Sequence, residues 1–387
     1  MKRSRILTAV LASVMVLGAA CAAPTTPPPD EPAVPAGDDA IGINQIQMIG
    51  SHNSYHRLVD NSLLVALGIG SALLPDLAAA GLDPAQLLYQ HRPLVEQLDS
   101  GIRTFELDIW ADPVGGLFAH PLGARLFGLF DPPGMTDPGF KVLHIQDIDF
   151  RSSCPSLAVC LATMRAWSDA HPDHLPIVIN LELKDDPLPA PFDATQIVPF
   201  DGPQLDAVDA ELRDAVGDRL ITPDDVRGSA PDLRTAVTTT GWPSVADSRG
   251  KFLFFMDNAN LRDAYLVGHP TLEDRVMFTS SGFGQADGAI LKVNEPGDGS
   301  EIRSLVEQGF IVRTRADADV INPSVAQRDA ALASGAQIVH TDFPPGEPKF
   351  GSHYIVTFGT RTAARCNPVT TTLATCQPAA AVEPVAP

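Results

Sequence analysis

Two carboxylates stand two positions apart in an apolar run, "TFELDI" (104–109). If this run is a β-strand, Glu106 and Asp108 point to the same side, because side chains alternate between the two faces of a strand. Neighbouring carboxylates repel each other, and burial makes each charge costly. A hard cation relieves both costs, and oxygen ligands suit Ca²⁺ or Mg²⁺. The alternative for this pair is a structural salt bridge to Arg103 or a helix cap.

A cluster of small polar residues supplies further candidates, in "MIGSHNSYHR" (48–57). Asn53 offers a neutral amide oxygen to a metal, and His52 offers an imidazole beside it. Glu182, in "IVINLEL" (177–183), supplies a third carboxylate. With Glu106 and Asp108, Asn53 and Glu182 form a set of four oxygen ligands that suits Ca²⁺, with Mg²⁺ as the less favoured ion.

A second histidine near the predicted metal is His144, in "KVLHI" (141–145). Two histidines can divide acid and base roles between them. Alternatively, one can bond a phosphoryl oxygen while the other protonates a leaving group. His120, in "GLFAHPLG", is the one rival for the role that we give to His144.

Three cations stand near the same strand ends and are candidates for binding a substrate: Lys184, Arg313 and Arg315. The whole chain has a formal net charge of −20, so an anionic substrate needs local positive charge. Lys184 could instead pair with Asp185 or Asp186. The acidic balance also argues against nucleic acid as a partner, because neutralising phosphates needs clustered Lys and Arg.

The segments that must position these residues alternate between strand and helix. Eight short apolar runs, mostly β-branched or aromatic, are typical of buried parallel strands. They lie at 46–50, 104–109, 141–145, 177–183, 251–257, 276–280, 310–316 and 337–343. Helical patterns at 156–171, 202–217 and 323–335 fill several gaps. Eight strand–helix units predict an α/β fold, a closed (β/α)8 TIM barrel whose active rim lies at the C-terminal strand ends.

The N-terminus has the pattern of a processing segment over residues 1–20, with a basic start and the apolar run "ILTAVLASVMVLGAA". Cys21 follows it, as in a bacterial lipoprotein that is acylated at this cysteine, and plain secretion is the alternative. Residues 21–40 are rich in Pro and acidic residues and predict an extended tether, with a disordered N-terminus without a role as the alternative. We therefore expect an exported chain, either a cell-surface lipoprotein held to the membrane by its anchor or a secreted protein.

Four cysteines remain after Cys21, and an even number in an exported chain suggests disulfides. Three pairings are possible, and the short spacings favour Cys154 with Cys160 and Cys366 with Cys376. We expect a single catalytic domain over residues 41–362 and a C-terminal tail over 363–387 that contains the second disulfide. We expect the chain to be a monomer.

Four stretches carry a resemblance to a known family: "GSHNSY", "GIRTFELDIW", "LHIQD" and "IVINLELKD", in this order. They resemble the catalytic half of the phosphatidylinositol-specific phospholipase C superfamily, and its calcium-dependent bacterial branch most of all. "GKFLFFMD", "GFIVRTRADAD" and "GAQIVHTDFPP" also resemble that branch. The resemblance covers about residues 44–345, and the order of the four motifs is more specific than any one of them.

The resemblance implies a role for each matched residue. Asn53, Glu106, Asp108 and Glu182 would ligate Ca²⁺. His52 would bond the phosphoryl group, and His144 would protonate the leaving alkoxide. Glu106 would help to deprotonate the attacking hydroxyl, which would be the inositol 2-OH, and the first product would be a cyclic phosphodiester. The substrate would be a phospholipid or another phosphodiester.

Departures from the family limit the substrate and leave two alternatives. Animal members carry lysines after strand five that hold headgroup phosphates, where this chain has "FFMDN" (254–258), so polyphosphorylated inositol lipids are not expected. One alternative is a glycerophosphodiester phosphodiesterase, although "SHNSYHR" fits the histidine-arginine-glycine start of those enzymes poorly. The other is a non-catalytic surface lipoprotein that uses the barrel as a binding module.

Overall fold

The structure is a computed structural model that describes residues 41–73, 83–188, 194–347, 353–359 and 362–372, together with Cys376 and Glu383. All of these belong to one compact unit. The predicted signal peptide, the predicted acylation site Cys21 and the predicted tether lie outside the described residues. Within the described part, we find no helix with the length and apolar character needed to cross a membrane.

The described part of the chain contains ten strands and eleven α-helices. The strands are β1 (Ile46–Ser51), β2 (Thr104–Asp112), β3 (Gly139–Val142), β4 (Ile177–Leu183), β5 (Phe252–Met256), β6 (Met277–Thr279), β7 (Ile290–Lys292), β8 (Ile311–Arg315), β9 (Ile338–Thr341) and β10 (Ala364–Cys366). The helices are α1 (Asn61–Leu73), α2 (Leu94–Asp99), α3 (Leu122–Phe127), α4 (Leu157–Ala170), α5 (Gly202–Val216), α6 (Pro223–Arg227), α7 (Leu233–Thr239), α8 (Val245–Ser248), α9 (Arg262–Tyr265), α10 (Ser300–Glu307) and α11 (Val325–Ser334).

Eight of the strands form a nearly closed parallel barrel in the order β6-β5-β4-β2-β1-β9-β8-β7. A single parallel bridge between Ser280 and Ile290 connects the two ends of this order. Gly50 lets β1 fit between its neighbours, since a Cβ there would lie 1.8 Å from Thr104 Oγ1 and 2.6 Å from His340 Cδ2. The predicted TIM-barrel class is therefore confirmed.

One predicted barrel strand is wrong, and one barrel strand was missed. The run at 141–145 does contribute to β3, but β3 pairs antiparallel with β2, with Val142 opposite Ile109, and lies off the barrel. The eighth barrel strand is instead β7, which lies next to β8. It spans only three residues and is too short to stand out as an apolar run. As a result, His144 lies in the turn after β3 and does not end a barrel strand.

The helices that flank the barrel follow the predicted patterns closely. Helix α4 begins where the Ser156 side chain accepts a hydrogen bond from Val159 N, and it buries Leu157, Leu161 and Met164 against the core. Helix α11 ends at Gly335, whose φ of 87° is the left-handed conformation that glycine commonly adopts at a helix C-terminus. In the structure Cys154 is bonded to Cys160 and Cys366 to Cys376.

Candidate active site

Three carboxylates meet near the point where the parallel pairing of β2 with β4 ends, at Ile109 and Leu183. The parallel register sets Asp108 opposite Glu182, and Glu106 lies one pleat below Asp108 on the same face. One oxygen from each of the three lies within 4.8 Å of the others. Glu106 and Asp108 are buried, whereas Glu182 is partly exposed. The cluster is therefore open to solvent on the Glu182 side.

The turn after β1 is bound directly to this cluster. Ser54 N donates to Glu106 O, and Glu106 N donates to Ser54 Oγ, each at 2.9 Å. Ser51 Oγ completes the turn with a hydrogen bond of 2.7 Å to Ser54 Oγ. Asn53 sits at the tip with a φ of 47°, a left-handed conformation that Asn tolerates better than most residues. The polar cluster seen in the sequence is thus a strand-end turn that delivers Asn53 to the carboxylates.

Buried oxygens that accept no hydrogen bond in the described structure fit a hard cation. The Asn53 amide nitrogen donates to the Tyr89 hydroxyl at 2.7 Å, while Asn53 Oδ1 is buried without a hydrogen-bond partner in the described structure. Both carboxylate oxygens of Asp108 are also buried without a hydrogen bond, although Oδ2 lies 3.5 Å from the ammonium of Lys184. Burial, and then the charge of Glu182, raise the pKa of Asp108 well above its usual range. A bound cation would remove these costs, so the residues fit Ca²⁺.

Glu106 does not form the structural salt bridge to Arg103 that was the alternative interpretation of the sequence. Glu106 Oε2 accepts from Arg313 Nη2 at 2.6 Å and lies 3.0 Å from His340 Nδ1. Arg103, the partner expected if Glu106 were a structural residue, pairs with Glu383 instead. Burial acts to raise the pKa of Glu106, but the charges of Arg313 and His52 outweigh it and hold this pKa well below its usual range. Glu106 is therefore ionised, as a metal ligand must be.

The three predicted substrate-binding cations have different surroundings. Arg313 is only 2% exposed and holds Glu106 from below, so its contact with a substrate stays a prediction. Lys184 Nζ lies 3.0 Å from Glu182 Oε1 and 3.5 Å from Asp108 Oδ2. In the described structure Lys184 therefore belongs to the carboxylate cluster. The alternative, a pairing with Asp185 or Asp186 in solvent, is not what the structure has. Arg315 is partly exposed at the end of β8 and lies beside His52.

His52 is held between a carboxylate and a guanidinium. Its Nδ1 lies 2.8 Å from Asp342 Oδ1, and Arg315 Nη1 donates to its Nε2 at 3.1 Å. Arg315 Nη2 also donates to Asp342 Oδ2 at 2.8 Å, which closes a ring of three side chains. His52 Nε2 lies 3.8 Å from Glu106 Oε1. This ring joins the end of β1 to the ends of β8 and β9 at the edge of the carboxylate cluster.

His144 belongs to a separate network that sequence reasoning missed. Its Nδ1 lies 2.8 Å from Asp149 Oδ2, and the same oxygen lies 2.7 Å from Nε2 of the fully buried His56. Burial lowers the pKa of His144. Burial acts to raise the pKa of Asp149, but His56 and His144 together bring it down to about 2. The charged Asp149 thus orients two imidazoles at once.

Tyr89 lies between the two histidine networks. Its ring stacks on His56 at a centroid distance of 4.1 Å and lies 6.3 Å from the ring of His52. His56 and His144 are 5.9 Å apart, edge to face. The two predicted catalytic histidines therefore flank one continuous aromatic wall. Nothing in the local pattern around Tyr89 or Asp149 indicated this, because both are brought in by loops.

The rival histidine is exposed. His120 is 73% exposed at its side chain, and its ion pair in the described structure is with Asp131, at 2.7 Å. His144 is mostly buried and shares Asp149 with His56. The structure therefore favours His144 over His120 as the histidine that is held in a defined orientation.

Comparisons with known proteins agree with the geometry. Residues 41–368 match the model of a family described as phosphoinositide phospholipase C, Ca²⁺-dependent. None of the curated proteins compared with the chain matches it.

Solved structures with a similar fold include a Ca²⁺-dependent phosphatidylinositol-specific phospholipase C from Streptomyces antibioticus. It is 19% identical with a TM-score of 0.49, over 78% of this chain and 95% of that one. A calcium-dependent phosphoinositol-specific phospholipase C from a Pseudomonas species is 18% identical with a TM-score of 0.48, over 80% and 94% of the two chains.

Proposed function

Because the chain belongs to the family of Ca²⁺-dependent phosphoinositide phospholipases C, we propose that it cleaves the glycerol–phosphate bond of an inositol phospholipid or a related phosphodiester. The enzymes of this family are phosphoric diester hydrolases. The observation that carries the proposal is the set of buried oxygens on Asn53 and Asp108 that accept no hydrogen bond in the described structure, beside Glu106 and Glu182. Such a set is costly for a binding module with no cation to hold.

Asn53, Glu106, Asp108 and Glu182 are the residues that would hold Ca²⁺. When bound, the ion would neutralise charge on the phosphoryl oxygens and lower the pKa of a coordinated hydroxyl. Asn53 contributes a neutral oxygen, which matters because three carboxylates already surround the site. A fourth carboxylate would repel an anionic substrate.

His52 and Arg315 act together on the phosphoryl group in this proposal. Arg315 Nη1 donates to His52 Nε2 at 3.1 Å in the structure, so the two groups meet at one point. When His52 is protonated, its Nε2 and Arg315 Nη1 can instead both donate to a phosphoryl oxygen bound beside them. Asp342 holds both side chains, through His52 Nδ1 and Arg315 Nη2. Positioned donors of this kind stabilise charge that develops as the phosphodiester reacts.

His144 supplies the proton to the leaving alkoxide. Asp149 accepts a hydrogen bond from Nδ1, which leaves Nε2 to carry the transferred proton. The Asp149 carboxylate favours the protonated imidazole, which opposes the lowering of its pKa by burial.

Export, acylation at Cys21, attachment to a membrane and a monomeric state belong to the same proposal.

The test is hydrolysis of phosphodiesters that differ in headgroup, with Ca²⁺ and with chelator. We expect release of inositol phosphates from phosphatidylinositol with Ca²⁺, and no release with chelator or with Asp108→Asn. Asp263→Asn is the matched control, because Asp263 is an exposed carboxylate in α9 outside the cluster. Equal activity with chelator, or cleavage of glycerophosphodiesters alone, contradicts the proposal.

A further inference from the structure

An apolar groove lies beside the turn that carries His144, and we propose that it binds one fatty acyl chain of the substrate. The groove is a cavity of about 230 Å³ between α1 and α3, lined mainly by Leu63, Ala66, Leu67, Leu122, Leu126 and Phe127. This volume is below the range of about 300–1,000 Å³ that is common for pockets enclosing a drug-sized ligand, so the groove has room for part of one chain and not for a whole lipid. The inference rests on the proposed function and names the part of the substrate that the groove takes.

The one charged group among the described lining residues is already committed to the protein. The Asp147 carboxylate accepts from Leu122 N at 2.6 Å and from Thr195 at 2.6 Å (N) and 3.0 Å (Oγ1). The groove therefore offers a ligand no free ionic partner among those residues. A hydrocarbon chain gains from such a surface, whereas a polar ligand loses its hydration there.

The groove and the active site share one turn of the chain. Asp147 and Ile148 line the groove, and they stand between His144 and Asp149, which form the histidine network. Asp149 N donates to Ile145 O at 2.9 Å, and Gly123 N donates to Asp147 O at 2.9 Å. The first bond closes the turn and the second ties it to α3. The wall of the groove is thus held rigidly to His144.

The direction of the reaction explains why an acyl chain reaches this place. His144 protonates the leaving oxygen, and in an inositol phospholipid that oxygen belongs to the glycerol that carries the acyl chains. The chains therefore start on the His144 side of the phosphate. The groove opens at Leu126 and Phe127, which are 68% and 40% exposed, so a chain can enter between these two residues and α1.

The net charge of the protein favours this kind of contact. A chain with a formal charge of −20 is repelled by anionic headgroups, so charge alone cannot hold it on a lipid. Helix α1, "NSLLVALGIGSAL", contains no charged residue and forms one side of the groove. Burial of hydrocarbon against it supplies the affinity that electrostatics does not.

The first experiment measures kcat/KM for soluble, monomeric substrates of increasing chain length: glycerophosphoinositol, dibutyroyl- and dihexanoyl-phosphatidylinositol, each below its micellar concentration. No bilayer is present, so any gain comes from the protein itself. We expect kcat/KM to rise by up to about fourfold for each methylene of the bound chain. No dependence on chain length overturns the proposal.

Filling the groove tests its location. Ala66→Trp should bring kcat/KM for the dihexanoyl substrate down toward the value for glycerophosphoinositol. Val65→Trp is the matched control, because Val65 is the neighbouring residue of α1, is 59% exposed and does not line the groove. If Ala66→Trp does not fold, Leu126→Asp places a charge at the exposed mouth and should have the same effect. Unchanged chain-length dependence in the folded variant refutes the groove.

Calorimetry with 1-octanoylglycerol separates this proposal from the proposed function, because this probe has a chain but no phosphodiester. Binding to the wild-type protein that Ala66→Trp abolishes supports the groove, even if no phosphodiester is cleaved and the proposed function fails. Absence of binding overturns the groove, even where phosphatidylinositol is hydrolysed.

Discussion

Replacing Asp149 with Asn changes one charge and keeps the size of the side chain. In the protein, Asp149 Oδ2 lies 2.8 Å from His144 Nδ1 and 2.7 Å from His56 Nε2. The carboxylate stabilises the protonated form of His144, which is the form that a general acid needs. Asn has no charge to stabilise it, so we expect the pKa of His144 to fall further below its usual value.

The size of the effect follows from the hydrogen bond. A hydrogen bond to a charged group contributes about 1.5–3 kcal/mol, and about 1.4 kcal/mol corresponds to one pKa unit. The pKa of His144 should therefore drop by about 1–2 units. Turnover that needs protonated His144 falls as pH rises through this pKa, so the falling limb of the profile moves about 1–2 pH units lower. At pH values above the pKa of His144 in both proteins, turnover by Asp149→Asn should be about 10- to 100-fold slower than turnover by the wild type.

The assay is the pH dependence of kcat with saturating Ca²⁺ for two substrates. Phosphatidylinositol has an alkoxide leaving group that needs a proton, whereas a nitrophenyl ester of inositol phosphate has a leaving group that needs little help. We expect a large loss for the first and a small one for the second. Asp131→Asn is the matched control, because Asp131 holds the exposed His120 at the same distance of 2.7 Å. Equal losses for both substrates, or an unshifted limb, refute the reasoning.

Asp149→Asn should also change how strongly the free energy of unfolding falls in acid. The pKa of Asp149 is about 2 in the folded chain, against an ordinary value of 3.8. Because the pKa of Asp149 is lower in the folded chain than in the unfolded one, its charge stabilises the folded state at pH values above the pKa in the unfolded chain. This contribution is lost as pH falls from about 4 to about 2. It amounts to roughly 2 kcal/mol. Urea unfolding at pH 6 and pH 2.5 should show this acid-dependent loss in the wild type and a smaller one in Asp149→Asn.

Three further predictions concern the metal cluster and its neighbours. Ca²⁺ at a hundredfold excess over its dissociation constant should add about 2.7 kcal/mol to the free energy of unfolding. Chelator should then lower Tm in the wild type, and an equal fall in Glu106→Gln/Asp108→Asn would rule out the site. His52→Ala should cut turnover by about 10²–10⁴ with nearly unchanged Ca²⁺ affinity by calorimetry; full activity on every phosphodiester would favour a binding module. Arg313→Met should cost about 3–5 kcal/mol in urea unfolding, because it leaves the buried Glu106 charge without its arginine; a loss below about 1 kcal/mol would contradict this pairing.

Several features of the site follow from short-range pattern alone. The two-residue spacing of Glu106 and Asp108 sets them on one face of β2, as the structure has them. Small polar residues follow the first apolar run in the sequence, and in the structure Ser51 and Ser54 form hydrogen bonds within the turn after β1. Alternation of apolar runs with helical stretches was enough to predict the barrel. For the carboxylate pair and for the turn, the deciding geometry spans a few consecutive residues.

Sequence could not reveal which side chains meet across the barrel. Arg313 pairs with Glu106 across 207 positions, and His52 with Asp342 across 290. Such pairs depend on which strands are neighbours and in what register, and no local pattern encodes that. For the same reason β3 was taken for a barrel strand, although its antiparallel partner is decided by the chain's path after β2.

The network around His144 depended most on tertiary structure. His56 and Asp149 are 93 positions apart, and His56 resembles any buried structural histidine in the sequence. Only the folded loops bring the two imidazoles to one carboxylate oxygen and set the groove behind them. Local geometry determined which residues face the active rim. Long-range packing decided which of them are ionised, which are oriented, and what lies next to them.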